Sequence, residues 1–277
     1  MKLYIQADIE GIAGMAQFEN RDDQSAENLH RRLRLRKLYT DEVNAAARGA
    51  FAGGAKHVTI WDSHGAGNSI IIEELDQRVE LITGNYSRAP WLPFFLEDEY
   101  DAGMYLCAHA MAGTPFACLP HTRMVLNGKA YGEGGMFINL LASRRVPTIM
   151  VSGDQAAVDE MLKLVPQMER VVSKKALGPF IIKSRTPQAV CEEMYLKAKK
   201  AAENRKNIPV YKILPPYFFT YTKDGSEHEY RGKDENDLID TYRRFLNTVY
   251  GYEGGNQCVG RPEVDIYLPD EYKHKLL

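Results

Sequence analysis

Short apolar runs alternate with helix-length segments along this chain, and several of the runs end abruptly in a histidine or a carboxylate. Leu-Tyr-Ile-Gln-Ala runs into Asp8 and Glu10, His-Val-Thr-Ile-Trp into Asp62 and His64, and Met-Tyr-Leu-Cys-Ala into His109. Runs of this kind read as strands covered on both faces, as in parallel sheets. From Thr40 a helix is expected, with Thr40 as its N-cap, Asp41 and Glu42 in the first turn, and Val43, Ala46, Ala47, Ala50 and Phe51 on one stripe. Gly53-Gly54 stops it, and the next strand begins at once at residue 57. Such a β-α-β unit is almost always a right-handed parallel crossover. The expected fold class is therefore α/β, a layered α/β/α arrangement around a largely parallel central sheet. The carboxyl ends of its strands would open on one crevice, which is where such sheets place their sites.

Further strands are expected at 79–82, 102–108 and 147–151. Asp154 reads as the cap of a helix carrying Val158, Met161, Leu162 and Val165 at helical spacing. Past Pro166, Thr186-Pro187 opens a helix to about Asn204, in the order of N-cap then proline. Residues 210–214 read as a strand interrupted by Pro215-Pro216. A helix from Asp234 follows, turning Leu238, Tyr242, Phe245, Leu246 and Val249 inward, and 264–268 reads as a last strand. The chain divides into a metal-binding α/β core over 1–166 and a C-terminal α/β portion over 167–277, packed on the core and open to being part of the same domain.

The formal charge of −2 provides no global basic field, so nucleic acid is not the expected partner. The densest cationic stretch, His30 to Lys37, reads as the solvated face of a helix or a subunit contact. Cys107, Cys118, Cys191 and Cys258 have neither C-x-x-C spacing nor a dense framework, which fits a reducing compartment. No apolar stretch has the length of a signal peptide or membrane helix, so the expected location is cytoplasmic, with no membrane partner.

The chemistry-bearing residues are weak signals one at a time. Asp8 and Glu10 read alone as solvated acids at a strand end, His64 and His109 as hydrogen-bonded structural histidines, and Glu133 as an acid in the glycine-rich turn Gly132-Glu133-Gly134-Gly135. Their joint placement is a stronger signal, because they end separate strands that a parallel sheet brings to one edge. Asp62 is a candidate for the carboxylate that orients an imidazole from behind. His121, in a proline-bracketed loop twelve residues past His109, suits a group placed over a site. Nitrogen and oxygen donors without cysteine suit zinc or manganese, and five of them around a shared carboxylate suit two metals better than one.

Taken together, Asp8-Ile-Glu10-Gly11-Ile12, Asp62-Ser63-His64, His109 to Pro115, His121 and Gly132-Glu133 resemble, in order and separation, the zinc-dependent D-aminopeptidase family. The similarity covers the first 165 residues well and the remainder loosely. The resemblance implies two zinc ions per chain, with manganese or another divalent metal as substitutes, and Asp8 bridging them. It implies Glu10 and His64 on one metal, His109 and Glu133 on the other, and His121 as a catalytic group beside them. It further implies an α/β architecture, a short peptide substrate beginning with a D-residue, and a homo-oligomer for which a decameric ring is the size considered. Two alternatives stand beside this reading: a metal-dependent amidase or phosphoesterase using the same ligands, and a non-catalytic oligomer that binds metal or peptide. No P-loop spacing supports a phosphoryl substrate.

Overall fold

The first strand, β1 (Lys2–Ala7), is buried from Leu3 onward and forms hydrogen-bonded ladders on both sides, as its unbroken apolar pattern requires. The structure is a computed structural model that describes residues 1–65, 67–84, 99–178 and 180–250. After β1 come α1 (Ala26–Ala52), β2 (His57–Asp62), β3 (Val79–Ile82) and β4 (Ala102–Ala108). A short hairpin, β5 (Met124–Leu126) and β6 (Lys129–Tyr131), leads into α2 (Glu133–Ser143), β7 (Thr148–Asp154) and α3 (Gln155–Leu162). The chain continues through β8 (Glu169–Gly178), β9 (Ile181–Ser184), α4 (Pro187–Glu203), β10 (Phe218–Lys223), β11 (Ser226–Arg231) and α5 (Leu238–Tyr250).

Seven strands form one sheet in the order β3-β2-β1-β4-β7-β8-β9, parallel throughout except for β9. The α/β class with a largely parallel central sheet is as expected. Strand order runs outward from β1 in one direction and then restarts at β4 in the other, so the switch point lies between β1 and β4. In open α/β sheets that is where a crevice forms beyond the carboxyl ends. The register makes the ends level: Ala7 pairs with Asp62 on one side and with Leu106 on the other. A second, antiparallel sheet has the order β11-β10-β5-β6, and Phe219 in it stacks on Phe245 of α5 with ring centroids 4.4 Å apart.

Several local expectations need correction. α1 begins at Ala26 with Ser25 as its N-cap, not at Thr40. The basic stretch from His30 is its first half, and the buried Leu35 and Tyr39 give that half an inward face. Thr40 lies inside the helix, donating to the Arg36 carbonyl at 2.8 Å and accepting from Ile71 N–H at 3.0 Å. Asp154 is the N-cap residue of α3, as expected, but its side chain makes no cap hydrogen bond; its carboxylate accepts from Cys118 N–H at 3.2 Å. Residues 210–214 form no ladder; Tyr211 and Ile213 lean on the core while Leu214 is exposed. α5 starts at Leu238, four residues later than expected, because Asp237 accepts from Ile239 N–H and Asp240 N–H and fixes the entry there. The strand expected at 264–268 and Cys258 lie outside the described residues. Among the described residues no helix is long and apolar enough to cross a membrane.

Candidate metal centre

Asp8 is the first residue past β1, and the chain turns immediately, so that Glu10 and Gly11 follow in a bend against the end of β4. Gly11 N–H donates to the Cys107 carbonyl at 2.7 Å, and a Cβ on Gly11 would lie 2.2 Å from that carbonyl's carbon. No other residue fits so close an approach. Cys107 has φ of +58°, and the β4–β7 register slips across it, one extra residue standing against β7. A bulge of this kind bends a strand and re-aims the side chains that follow, and here the next side chain but one is His109.

His109 is buried and lies between two carboxylates, its Nε2 being 3.2 Å from Asp8 Oδ2 and 3.4 Å from Glu133 Oε1. Its Nδ1 is 2.9 Å from the Ala110 carbonyl, which only a donor can satisfy, so Nε2 is the nitrogen turned to the carboxylates. Across the crevice His64 Nε2 is 3.4 Å from Glu10 Oε1, and His64 Nδ1 is 2.9 Å from Ser69 Oγ. The orienting partner expected from Asp62 is thus Ser69. Asp62 acts one step further back, accepting from Ser69 N–H at 2.6 Å and Ile70 N–H at 3.0 Å and so fixing the loop that carries Ser69.

Glu133 is not in a loose turn: it is the first residue of α2, where the positive end of the helix favours an acid. Thr122 Oγ1 donates to its Oε1 at 2.7 Å and Tyr105 O–H reaches its Oε2 at 3.4 Å. His121 reaches the same place because the chain doubles back after His109. His121 N–H donates to the Ala110 carbonyl and Ala112 N–H to that of Thr122. Its ring stacks on that of His109 with centroids 3.6 Å apart, and its Nδ1 is 2.9 Å from the Leu119 carbonyl. One donor atom each from His109, His121 and Glu133 lies within 4.8 Å of the others. All six expected residues, Asp8, Glu10, His64, His109, His121 and Glu133, are therefore brought together beyond the carboxyl ends of β1, β2 and β4.

The charges explain one another. Burial, followed by the repulsion of Glu10, pushes Asp8 up to about 7. Burial alone would raise Glu133 as well, but His109 and Thr122 outweigh it and bring Glu133 down to about 2. His109 is driven well above the ordinary imidazole range: burial opposes this, and the charge of Glu133 and the contact with Asp8 win. Glu10 raises His64 in the same way against burial. Protons on the imidazoles thus do part of the work that a cation would do among the carboxylates of Asp8, Glu10 and Glu133.

Two observations test whether these residues fit a metal. His109 Nε2 and Glu10 Oε2 are buried and without a hydrogen-bond partner among the described residues. The donor separations of 3.2 to 3.4 Å match the edge of a tetrahedron of nitrogen and oxygen donors around zinc, about 3.3 Å for bonds of about 2.0 Å. The donor set fits.

Sequence reasoning missed three supports of the Glu10 turn. Lys174 of β8, buried, sends its Nζ to the carbonyls of Glu10 and of Met15, the latter at 2.6 Å, and Ser173 Oγ donates to the Gly11 carbonyl. A lysine in the alternating strand β8 carries no signal of burial. Glu42, expected in the first turn of a helix from Thr40, lies buried inside α1 and accepts from Ala13 N–H at 2.8 Å.

A buried nest of histidines and carboxylates at the switch point of a parallel α/β sheet is the architecture of a metal-dependent hydrolase. Residues 1–228 match the family model described as D-aminopeptidase, and the chain belongs to that family. A D-aminopeptidase of Bacillus subtilis (strain 168) is 28% identical over 227 residues, 78% of each chain. Among solved structures, the Zn-dependent D-aminopeptidase DppA from Bacillus subtilis, described as a self-compartmentalizing protease, superposes with a TM-score of 0.80 at 24% identity. The match covers 91% of this chain and 98% of that one.

Proposed function

We propose that this protein is a two-zinc aminopeptidase that removes an N-terminal D-residue from short peptides. The observation carrying the reading is that His109 Nε2 lies 3.2 and 3.4 Å from Asp8 and Glu133 and His64 Nε2 lies 3.4 Å from Glu10, with His109 Nε2 and Glu10 Oε2 buried and unpartnered among the described residues. Family membership favours this over a phosphoesterase or a binding protein. In this reading Glu10 and His64 would hold one zinc and His109 and Glu133 the other, with Asp8, 3.2 Å from His109 Nε2, contributing to both. Bound zinc supplies a water that is nucleophilic near neutral pH and polarises the scissile carbonyl.

The protein's own groups do the rest. The Ala110 carbonyl and Ser69 fix the two imidazoles so that each presents Nε2. Thr122 and Tyr105 hold the Glu133 carboxylate. His121 donates through Nδ1–H to the Leu119 carbonyl, so the tautomer of its neutral ring places the lone pair on Nε2. That nitrogen takes a proton from the attacking water and returns it to the leaving amine as the C–N bond breaks, so the acyl group keeps the hydroxyl and the amine keeps the proton.

The assembly proposed is a cytoplasmic homo-oligomer, a decameric ring being the size to test. Its support is a relative described as self-compartmentalizing and the exposure of Phe116, Phe180 and Ile181. The decisive experiment is metal analysis combined with hydrolysis of D- and L-alanyl anilides before and after chelation. Two zinc equivalents per chain and restorable, D-selective turnover are expected; metal-free protein after growth in zinc, inactive on both anilides, would refute the reading.

A further inference from the structure

The basic first half of α1 has a use beyond solvation. The loop that leaves the metal-bearing turn lies on it: Arg31 donates to the Gln17 side chain at 2.9 Å, and Arg32 and Arg36 approach Glu19 at 3.7 and 3.6 Å. Arg21 approaches the same carboxylate at 3.6 Å. Three guanidinium groups thus share a single carboxylate in these ion pairs. The Glu19 side chain is 2% exposed, yet both its oxygens, and the Nε atoms of Arg32 and Arg36, have no hydrogen-bond partner among the described residues. One anion does not neutralise three cations, and donor groups on planar forks remain available for a second carboxylate.

The cluster stands at the metal crevice. Phe18, 43% exposed, meets the ring of His121 edge-on with centroids 5.3 Å apart. Three residues on, the Arg21 guanidinium rests over Gly65, the neighbour of His64, so closely that a Cβ there would be 2.3 Å from Arg21 Nη2. Residues 18–21 therefore span the crevice from His121 at one end to His64 at the other. Arg21 is the most open of the three arginines, with 45% of its side chain exposed against 18% for Arg32 and 27% for Arg36.

We propose that Arg21, positioned by Glu19 and backed by Arg32 and Arg36, binds the terminal carboxylate of the peptide substrate, with Phe18 as the apolar wall beside His121. The inference rests on the peptidase reading and narrows its substrate class to very short peptides with a free carboxyl terminus. A peptide extends at most about 3.6 Å per residue, so a fixed anion-binding group at the edge of the crevice admits only a residue or two past the scissile bond.

The test compares D-alanyl-glycine with D-alanyl-glycinamide on the zinc-loaded protein, for wild type, Arg21→Gln and Arg21→Lys. Wild type is expected to prefer the free acid in kcat/KM by roughly 10- to 100-fold, the range for a charge-assisted hydrogen bond. In Arg21→Gln that preference falls to about one, chiefly through KM, and Arg21→Lys restores part of it. A wild type indifferent to amidation, or an Arg21→Gln variant that keeps the full preference or loses both substrates equally, overturns the proposal. A zinc-loaded wild type that cleaves neither compound refutes instead the peptidase reading beneath it.

Discussion

Glu42 permits the most quantitative test, because it is a fully buried carboxyl group beneath the metal-bearing turn. Its Oε1 accepts from Ala13 N–H at 2.8 Å and its Oε2 faces Cys107 Sγ at 3.6 Å, so it joins the turn after β1 to the bulge of β4. Burial raises its pKa from 4.5 to about 7, and its two contacts only partly offset this. A carboxyl whose folded pKa lies above its unfolded value binds its proton more tightly in the folded state. Its contribution to stability is complete below about pH 4.5 and is lost as the pH rises through about 7. At 1.36 kcal/mol per unit, the loss amounts to about 3 kcal/mol by pH 8.5. Glu42→Gln removes the titration and keeps an acceptor for Ala13 N–H. In metal-free protein, thermal unfolding of variant and wild type followed by circular dichroism at pH 4.5 and 8.5 isolates this group, since other titrations are common to both. The variant-minus-wild-type difference in Tm is expected to rise by roughly 6–10 °C between the two pH values, for a chain of this size. A difference that does not change with pH would show that Glu42 is not held as a neutral acid, and the account of this clamp would be wrong.

Replacing His121 by alanine should leave zinc content at the wild-type level and lower kcat by roughly 10²- to 10⁴-fold, the range for a general acid or base; elemental analysis beside anilide hydrolysis reads both. If Asp8 serves both zinc sites as proposed, Asp8→Asn should retain fewer zinc equivalents than a variant lacking only His64, and the same elemental analysis would show it. Zinc affinity should rise with pH, since the surrounding carboxylates hold protons on His109 and His64 that must leave first; calorimetry in buffers of different ionisation enthalpy counts the protons released. Gly11→Ala should displace the turn from the Cys107 carbonyl, which a Cβ would approach to 2.2 Å, and should cost metal binding before it costs helical content.

The sequence announced the strands better than the helices, for a physical reason. β1, β2 and β4 are covered on both faces, so their patterns are unbroken and their ends sharp. Their level ends carried Asp8, Asp62 and His109 into view together. The first half of α1 escaped because its exposed face is crowded with arginines, and only Leu35 and Tyr39 mark the inward side. The three-residue strands β5 and β6 are too short for a period to register, yet they carry the chain from His121 to Glu133. The start of α2 at Glu133 was hidden by its glycines, which argue locally for a turn. They are there for close packing: a Cβ on Gly134 would meet the Met161 sulfur at 2.3 Å.

Much of the site's precision comes from residues that carry no chemistry of their own. The turn after β1 carries Asp8 and Glu10 and then continues as Phe18, Glu19 and Arg21 past His121 and Gly65, so its path positions both the proposed metal ligands and the proposed substrate-binding arginine. It is tied down from below by Ser173 and Lys174, from the side by Glu42, and from above by Arg31, Arg32 and Arg36. These ties come from β8 and from both halves of α1, elements distant in sequence. A buried lysine bonded to carbonyls and a buried carboxyl bonded to a backbone amide are unfavourable choices for stability alone, since burial works against the charged form of each. Their placement around one turn is consistent with selection for where Glu10 stands rather than for a tighter core.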